Sequence, residues 1–397
     1  MSRVWLRWMP AVVVPAVIAV AVVAVPLQAG AAVDLPNKTA AEVLALVSGS
    51  TVSSFSGTLE QTSNLGLPDL SALSSMPATS SGEFGSDDVG EDGAGAEASA
   101  APDTADTMAA ATTALELLTG SHTARVFADG PDNLRVQVID RLDERNLIRS
   151  GDEVWFYDSA TNEATHLSIP ADAGADARAQ LDEAKAQAEL GEMPTPAELA
   201  DTLLSNLDAS TEVTVGTDTA IAGRDAYELR LTPRTGETLV ESASIFVDGE
   251  TGMPLRVEVL ARGQEDPAFR VAFTEVSFTT PDAALFAFTP PADATVTEQA
   301  LPEHAAAEGT TEKGFGDLTA EDLPVTVTGE GWAAVAELPA GTVPADLTAS
   351  PLFDQVTVDV DGARLFSTTL LNVLVTDDGR VLAGSVPVET LQAAAAE

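Results

Sequence analysis

The sequence predicts a mostly β, α+β fold: about eleven antiparallel strands sharing one apolar face, helices to cover that face, and a small C-terminal unit. Three observations lead there. Two stretches, His122 to Pro170 and Thr211 to Pro291, alternate apolar and polar residues between turn residues at regular intervals. Two capping-box patterns, Thr39-Ala40-Ala41-Glu42 and Thr195-Pro196-Ala197-Glu198, each precede an apolar helical stripe. After Pro291 the composition turns polar, and strand-like patterning returns only near the C-terminal end.

The 211–291 stretch defines its faces most clearly. Tyr227, Leu229 and Leu231 share one side of a strand, and Ile245 and Val247 one side of the next. Leu255, Val257 and Val259 follow in the third, Val271 and Phe273 in the fourth. Period-2 alternation sends Glu228, Arg230, Arg256 and Glu258 the other way. Asp248-Gly249 and Thr251-Gly252-Met253-Pro254 suit reversals, because Gly tolerates positive φ and Pro fixes its own. A sheet with one apolar face needs a cover, from the chain or from a ligand.

In the 122–170 stretch, Asp129-Gly130-Pro131 and Ser150-Gly151-Asp152 punctuate about five short strands. Leu134, Val136 and Val138 are in phase, whereas Trp155-Phe156-Tyr157 sends aromatics both ways, one side for a ligand and the other for a neighbouring segment. Ahead of it, Val43, Leu46 and Val47 form the stripe of the first capped helix, and Thr51 to Thr62 reads as a strand with Phe55, Gly57 and Leu59 on one face. Ser71 to Asp106 carries eight acids and no base, too little apolar surface to offset ordering, and reads as a disordered insertion. A short helical turn is expected between Met108 and Gly120, and an alanine-rich helix over Asp172 to Leu190. The second capped helix lines Ala200, Leu203, Leu204 and Leu207 along one side, the face a sheet cover requires. Residues 292–316 read as a linker and 318–397 as the small unit, with hairpin turns at Asp361-Gly362 and Asp378-Gly379 and a helical tail from Glu389.

Arg3 and Arg7 precede an apolar run from Ala11 to Leu27, followed by the small residues Ala29-Gly30-Ala31. This predicts a signal peptide over residues 1–31, cleaved or retained as an anchor, and hence an extracytoplasmic protein that is secreted or N-terminally membrane-anchored. Zero cysteines exclude disulfides, thiolate metal sites and lipid attachment through sulfur. Sixty-two acids against nineteen bases give a net charge of −43, which opposes binding to nucleic acid or to anionic membrane surfaces. His122, His166 and His304 lack metal-ligand spacing, and neither a Gly-x-Ser-x-Gly elbow nor a phosphate-cradling loop is present. Asp359-x-Asp361-Gly362 lacks the downstream acids of a calcium loop and reads as a turn. No catalytic residue, metal or cofactor is therefore expected, and the protein reads as a non-enzyme.

Five motifs recur in a telling order: Leu134-Arg135-Val136; Ser150-Gly151-Asp152-Glu153-Val154-Trp155-Phe156-Tyr157-Asp158; Gly223-Arg224-Asp225-Ala226-Tyr227-Glu228-Leu229; Val247-Asp248-Gly249-Glu250-Thr251-Gly252-Met253-Pro254-Leu255; and Phe286-Ala287-Phe288-Thr289-Pro290-Pro291. Together, over about residues 38–291, they resemble the LolA-like half-barrel family, which includes periplasmic lipoprotein carriers and the N-terminal domain of RseB-type regulators. The resemblance implies an open, curved antiparallel half-barrel lidded by helices, whose concave apolar face takes the acyl chains of a lipid or lipoprotein. For RseB-type members it also implies a membrane protein partner, an anti-sigma factor. The acid-rich insertion, the missing cysteine after the signal and the C-terminal unit depart from a minimal carrier. Candidate lipid-binding residues are Phe55, Leu59, Val136, Trp155, Tyr157, Leu203, Leu207, Tyr227, Leu229, Val257, Val259 and Phe273. Packed core under the helices demands the same residue types at most of these positions. Arg224 reads as the partner of a buried carboxylate.

Overall fold

The computed structural model describes residues 33, 35–66, 120–139, 143–168, 194–300, 325–341, 348 and 351–396. The expected signal peptide, the acid-rich insertion, the short helix after Met108, the 172–190 helix and residues 301–316 lie outside them.

Helix α1 (Ala40–Ser48) leads into β1 (Ser54–Ser63), followed by the meander β2 (Gly120–Asp129), β3 (Asn133–Ile139), β4 (Glu144–Ser150), β5 (Glu153–Asp158) and β6 (Glu163–Ser168). Helix α2 (Pro196–Ser205) then precedes β7 (Thr211–Val215), β8 (Thr219–Ile221), β9 (Arg224–Pro233), β10 (Val240–Asp248), β11 (Pro254–Ala261), β12 (Phe269–Ser277) and β13 (Thr295–Ala300). These strands form one thirteen-stranded sheet in the order β13-β6-β5-β4-β3-β2-β1-β12-β11-β10-β9-β7, with β8 paired to β9. The chain's first strand thus stands at the centre and joins the two meanders, through β2 on one side and β12 on the other.

Two features depart from the expected eleven antiparallel strands. The short β8 adds one, and β13 forms within the stretch read as linker. β13 pairs with β6 in parallel, from Thr295 opposite Glu163 to Ala300 opposite Ser168. Composition marked this stretch as linker, but the free edge of β6 offers backbone donors and acceptors that an extended Thr-Val-Thr segment satisfies.

Cross-strand register sorts the side chains into two faces. Tyr227, Leu229 and Leu231 of β9 stand beside Val247, Ile245 and Ala243 of β10, and Ile245 beside Val257 of β11, which faces Val271 of β12. The same face continues through Leu59, Ala124 and Val138, and through Gly57, Val126, Val136, Leu147 and Phe156. Both helices pack on this face: Val43 and Val47 of α1, and Ala200 of α2, join Tyr227, Leu229, Ile245 and Val257 in one buried cluster. At Gly57, a Cβ would lie 2.6 Å from the Phe273 ring, so glycine makes room for that ring, which meets Phe55 edge-on at 6.0 Å.

Each helix starts as its capping box requires. Glu42 N–H donates to Thr39 Oγ1 at 3.3 Å while Glu42 Oε2 accepts from Thr39 N–H at 2.7 Å, and Glu198 and Thr195 repeat the pair at 3.3 and 2.8 Å. Thr195→Ala removes the acceptor for one orphan amide and is expected to cost about 1 kcal/mol. Chemical denaturation of that variant, read beside Thr202→Ala on the same helix, checks the value.

The C-terminal part forms a second sheet from β14 (Thr326–Thr328), β15 (Val335–Leu338), β16 (Thr357–Val360), β17 (Ala363–Ser367), β18 (Asn372–Thr376) and β19 (Val381–Gly384), in the order β14-β15-β19-β18-β17-β16. Helix α3 (Pro351–Val356) precedes β16, and the tail helix α4 (Val388–Ala395) buries Leu391 against Leu374 and Leu382. Asp361 and Gly362 link β16 to β17 with φ of 49° and 81°, the two positive values of a type I′ hairpin.

Candidate ligand-binding face

The helix-bearing face carries ten of the twelve candidate residues, in two patches. Tyr227, Leu229, Val257 and Val259 gather with Leu203 of α2 and Leu207 just beyond it, Leu229 and Val257 fully buried and the two leucines half-buried. Phe55, Leu59, Val136 and Phe273 form the second patch, around the β1–β12 contact. Leu199 packs against both and connects them, a residue the sequence reading left out although it lies one turn before Leu203.

Trp155 and Tyr157 stand on the opposite face. Period 2 gives Val154 and Phe156 to the helix side, and Trp155 pairs across strands with Ile148 and His166. There Phe288 lies against both rings, 5.5 Å from Trp155 and 5.7 Å from Tyr157. A 3₁₀ turn over Ala283–Phe286 holds that segment, with Phe286 buried and the Leu285 carbonyl accepting from Arg135 Nη1 at 3.2 Å. The aromatic triplet does face both ways, and its indole and phenol side is the one taken by a neighbouring segment.

The first patch is anchored at its rim. Tyr227 donates its hydroxyl to the Pro36 carbonyl at 2.9 Å, tying the chain ahead of α1 to the sheet, and burial pushes its phenol pKa up. Behind it, Arg224 bridges Asp248 bidentately, Nε to Oδ2 at 2.7 Å and Nη2 to Oδ1 at 2.9 Å, and reaches Glu250 at 2.7 Å. Asp248 is 1 % exposed and also accepts from the Glu250 and Thr251 amides and the Thr251 hydroxyl. The β10–β11 connection is therefore a longer turn built around the Asp248 carboxylate, with positive φ at Gly252 and not at Gly249.

Among the described residues, the second sheet docks on the first at three points. Trp332 donates from Nε1 to Thr211 Oγ1 at 2.8 Å and packs with the α2 patch. The Ser385 carbonyl accepts from Leu239 N–H at 2.7 Å, and Thr369 N–H donates to the Leu65 carbonyl at 2.9 Å. The sequence gives no signal that Trp332 reaches β7.

The arrangement offers an apolar face, a short capped lid and a docked second unit, and the described residues hold no cluster of three or more His, Cys, Asp or Glu positioned for a metal. No described helix is long and apolar enough to cross a membrane. The sequence profile of the MucB/RseB N-terminal domain matches residues 121–304. Among solved structures, the MucA/MucB complex of Pseudomonas aeruginosa is similar at 16 % identity and a TM-score of 0.40, over 89 % of this chain and 96 % of that one. A LolA-superfamily protein from Nitrosomonas europaea is similar at 11 % identity and a TM-score of 0.22, over 64 % and 99 %. No curated protein matches the chain. The match gives residues 121–304 the MucB/RseB N-terminal type of domain, and they lie within an open sheet that α1 and α2 cover on one face.

Proposed function

We propose that this chain is an extracytoplasmic binding protein that holds the acyl chains of a lipid or lipoprotein against the helix-bearing face of its half-barrel. The observation that carries this reading is the lid: α2 covers fully buried sheet residues with leucines that are themselves only half-buried. An acyl chain entering beneath a lifted α2 would replace those leucines over Leu229, Val257 and Val259, each buried methylene contributing about 0.8 kcal/mol. Phe55, Leu59, Val136 and Phe273 would extend the track toward the second patch, whereas Trp155 and Tyr157 would take no part.

Leu203→Trp tests it. The added ring would occupy lid space needed by the acyl chain, so uptake of a fluorescent fatty acid is expected to fall while the melting temperature holds. If the wild-type protein takes up no fatty acid and yields no lipid on extraction, and the variant loses about 1 to 3 kcal/mol through overpacking, the face is core and the reading fails.

A second reading, a regulator of the RseB type that also engages a membrane anti-sigma factor, draws support from the family match and from the second sheet docked through Trp332 and Ser385. Removing residues 318–397 should then abolish capture of a membrane protein and spare fatty-acid uptake. Equal capture with and without them would sink it.

A further inference from the structure

β13 is an outlying strand held by little besides its ladder. Thr295, Val296, Thr297 and Glu298 are exposed, Val296 at 44 %, so the strand buries little apolar surface. It is also the strand through which the chain leaves the half-barrel toward the second sheet. Its one side-chain bond to the sheet among the described residues runs through His166 on β6. His166 Nδ1 meets Glu298 Oε2 at 2.7 Å, and His166 Nε2 meets Glu153 Oε2 of β5. The imidazole stacks on Trp155 at 4.1 Å and 16°, which fixes the plane in which the two nitrogens point.

A neutral imidazole carries one N–H and one lone pair, whereas the imidazolium carries two N–H donors. With a carboxylate on each nitrogen, the neutral ring satisfies one acid and turns a lone pair on the other. Only the protonated ring bonds both. We propose that His166 is a proton-controlled clasp, which ties β13 to the half-barrel through Glu298 when protonated and lets the strand go when it loses the proton.

The charged groups facing the ring are Glu153 from β5 and Glu298 from β13. Its other described neighbours on that face are Trp155 and Tyr157 of β5, Ser168 of β6, which donates to Glu153 at 3.4 Å, and Phe288, which lies against Trp155; Tyr157 donates its hydroxyl to Asn162. Burial pulls the His166 pKa down, but the bonds to Glu298 and Glu153 outweigh it and leave the ring above its ordinary 6.5. A raised folded-state pKa means that the bond to β13 contributes in full below pH 6.5 and fades as pH rises through the raised value. External pH would thereby set how firmly the connection to the second sheet is fastened.

Hydrogen exchange of the full-length chain, followed by mass spectrometry between pH 5.5 and 8.5 and corrected for intrinsic chemical rates, reads the clasp directly. Protection of the 295–300 amides is expected to fall across the His166 titration, while β9–β11 amides hold theirs. Glu298→Gln, a change at an exposed position, should remove the pH dependence and leave β13 weakly protected throughout; His166→Gln should do the same. The His166 ring signal, assigned by its loss in His166→Gln, should titrate above 6.5 in the wild type and lower in Glu298→Gln. Protection of β13 that is equal at both ends of the range, or a pH dependence that survives in Glu298→Gln, would overturn the proposal.

Discussion

Gly252→Ala is expected to be among the most damaging single substitutions in the half-barrel, although it adds only one methyl group. Gly252 has φ +78°, and a Cβ there would lie 2.2 Å from the Leu46 carbonyl oxygen at the end of α1. Left-handed backbone costs a non-glycine residue about 1 to 2 kcal/mol. Displacing a backbone carbonyl that cannot rotate away adds about 1 to 3 kcal/mol more. Gly263 supplies the control, because its φ is +77° and a Cβ there meets nothing within 4 Å. Gly263→Ala should therefore show the backbone cost alone. Thermal melting of the two variants separates the terms, and equal losses would show that the turn does not press on α1.

Arg224→Leu is expected to cost about 3 kcal/mol, the low end for breaking a buried ion pair, since the arginine side chain keeps 27 % of its surface while Asp248 keeps 1 %. What is lost is the compensation for a carboxylate that cannot be rehydrated. The deficit should depend on pH, with a sign fixed by the aspartate. Burial raises the Asp248 pKa, but Arg224 and the Thr251 amide and hydroxyl outweigh it and hold the group below its ordinary 3.8. A depressed pKa contributes stability that is complete above 3.8 and is lost as pH falls through the folded-state value. The gap between wild type and Arg224→Leu, measured by urea denaturation, should hence be largest near neutrality and narrow toward pH 3. A gap that stays constant on acidification would place the loss in packing against Phe278, whose ring lies 5.0 Å from the guanidinium, and not in the ion pair.

Local patterns in the sequence were enough to give both capped helices, the five strands of the first meander, the faces of β9 to β12, the hairpin turn at Asp361-Gly362 and the pairing of Arg224 with a buried carboxylate. Each rests on interactions between residues near in sequence or on a two-residue period: a hydroxyl meeting an amide three residues on, a side chain alternating across a strand, a turn that needs positive φ. Tertiary structure alone decided the rest. β1 at the centre of the sheet, Phe273 over Gly57, Leu199 between the two patches and Trp332 on Thr211 all join segments far apart in the chain. The same holds for β13, whose composition reads as linker and which becomes a strand because β6 presents an unpaired edge and His166 a partner for Glu298. Trp155 shows the division within one residue: alternation separated it from Phe156, but only the chain returning through Phe288 decided which of the two faces would be covered.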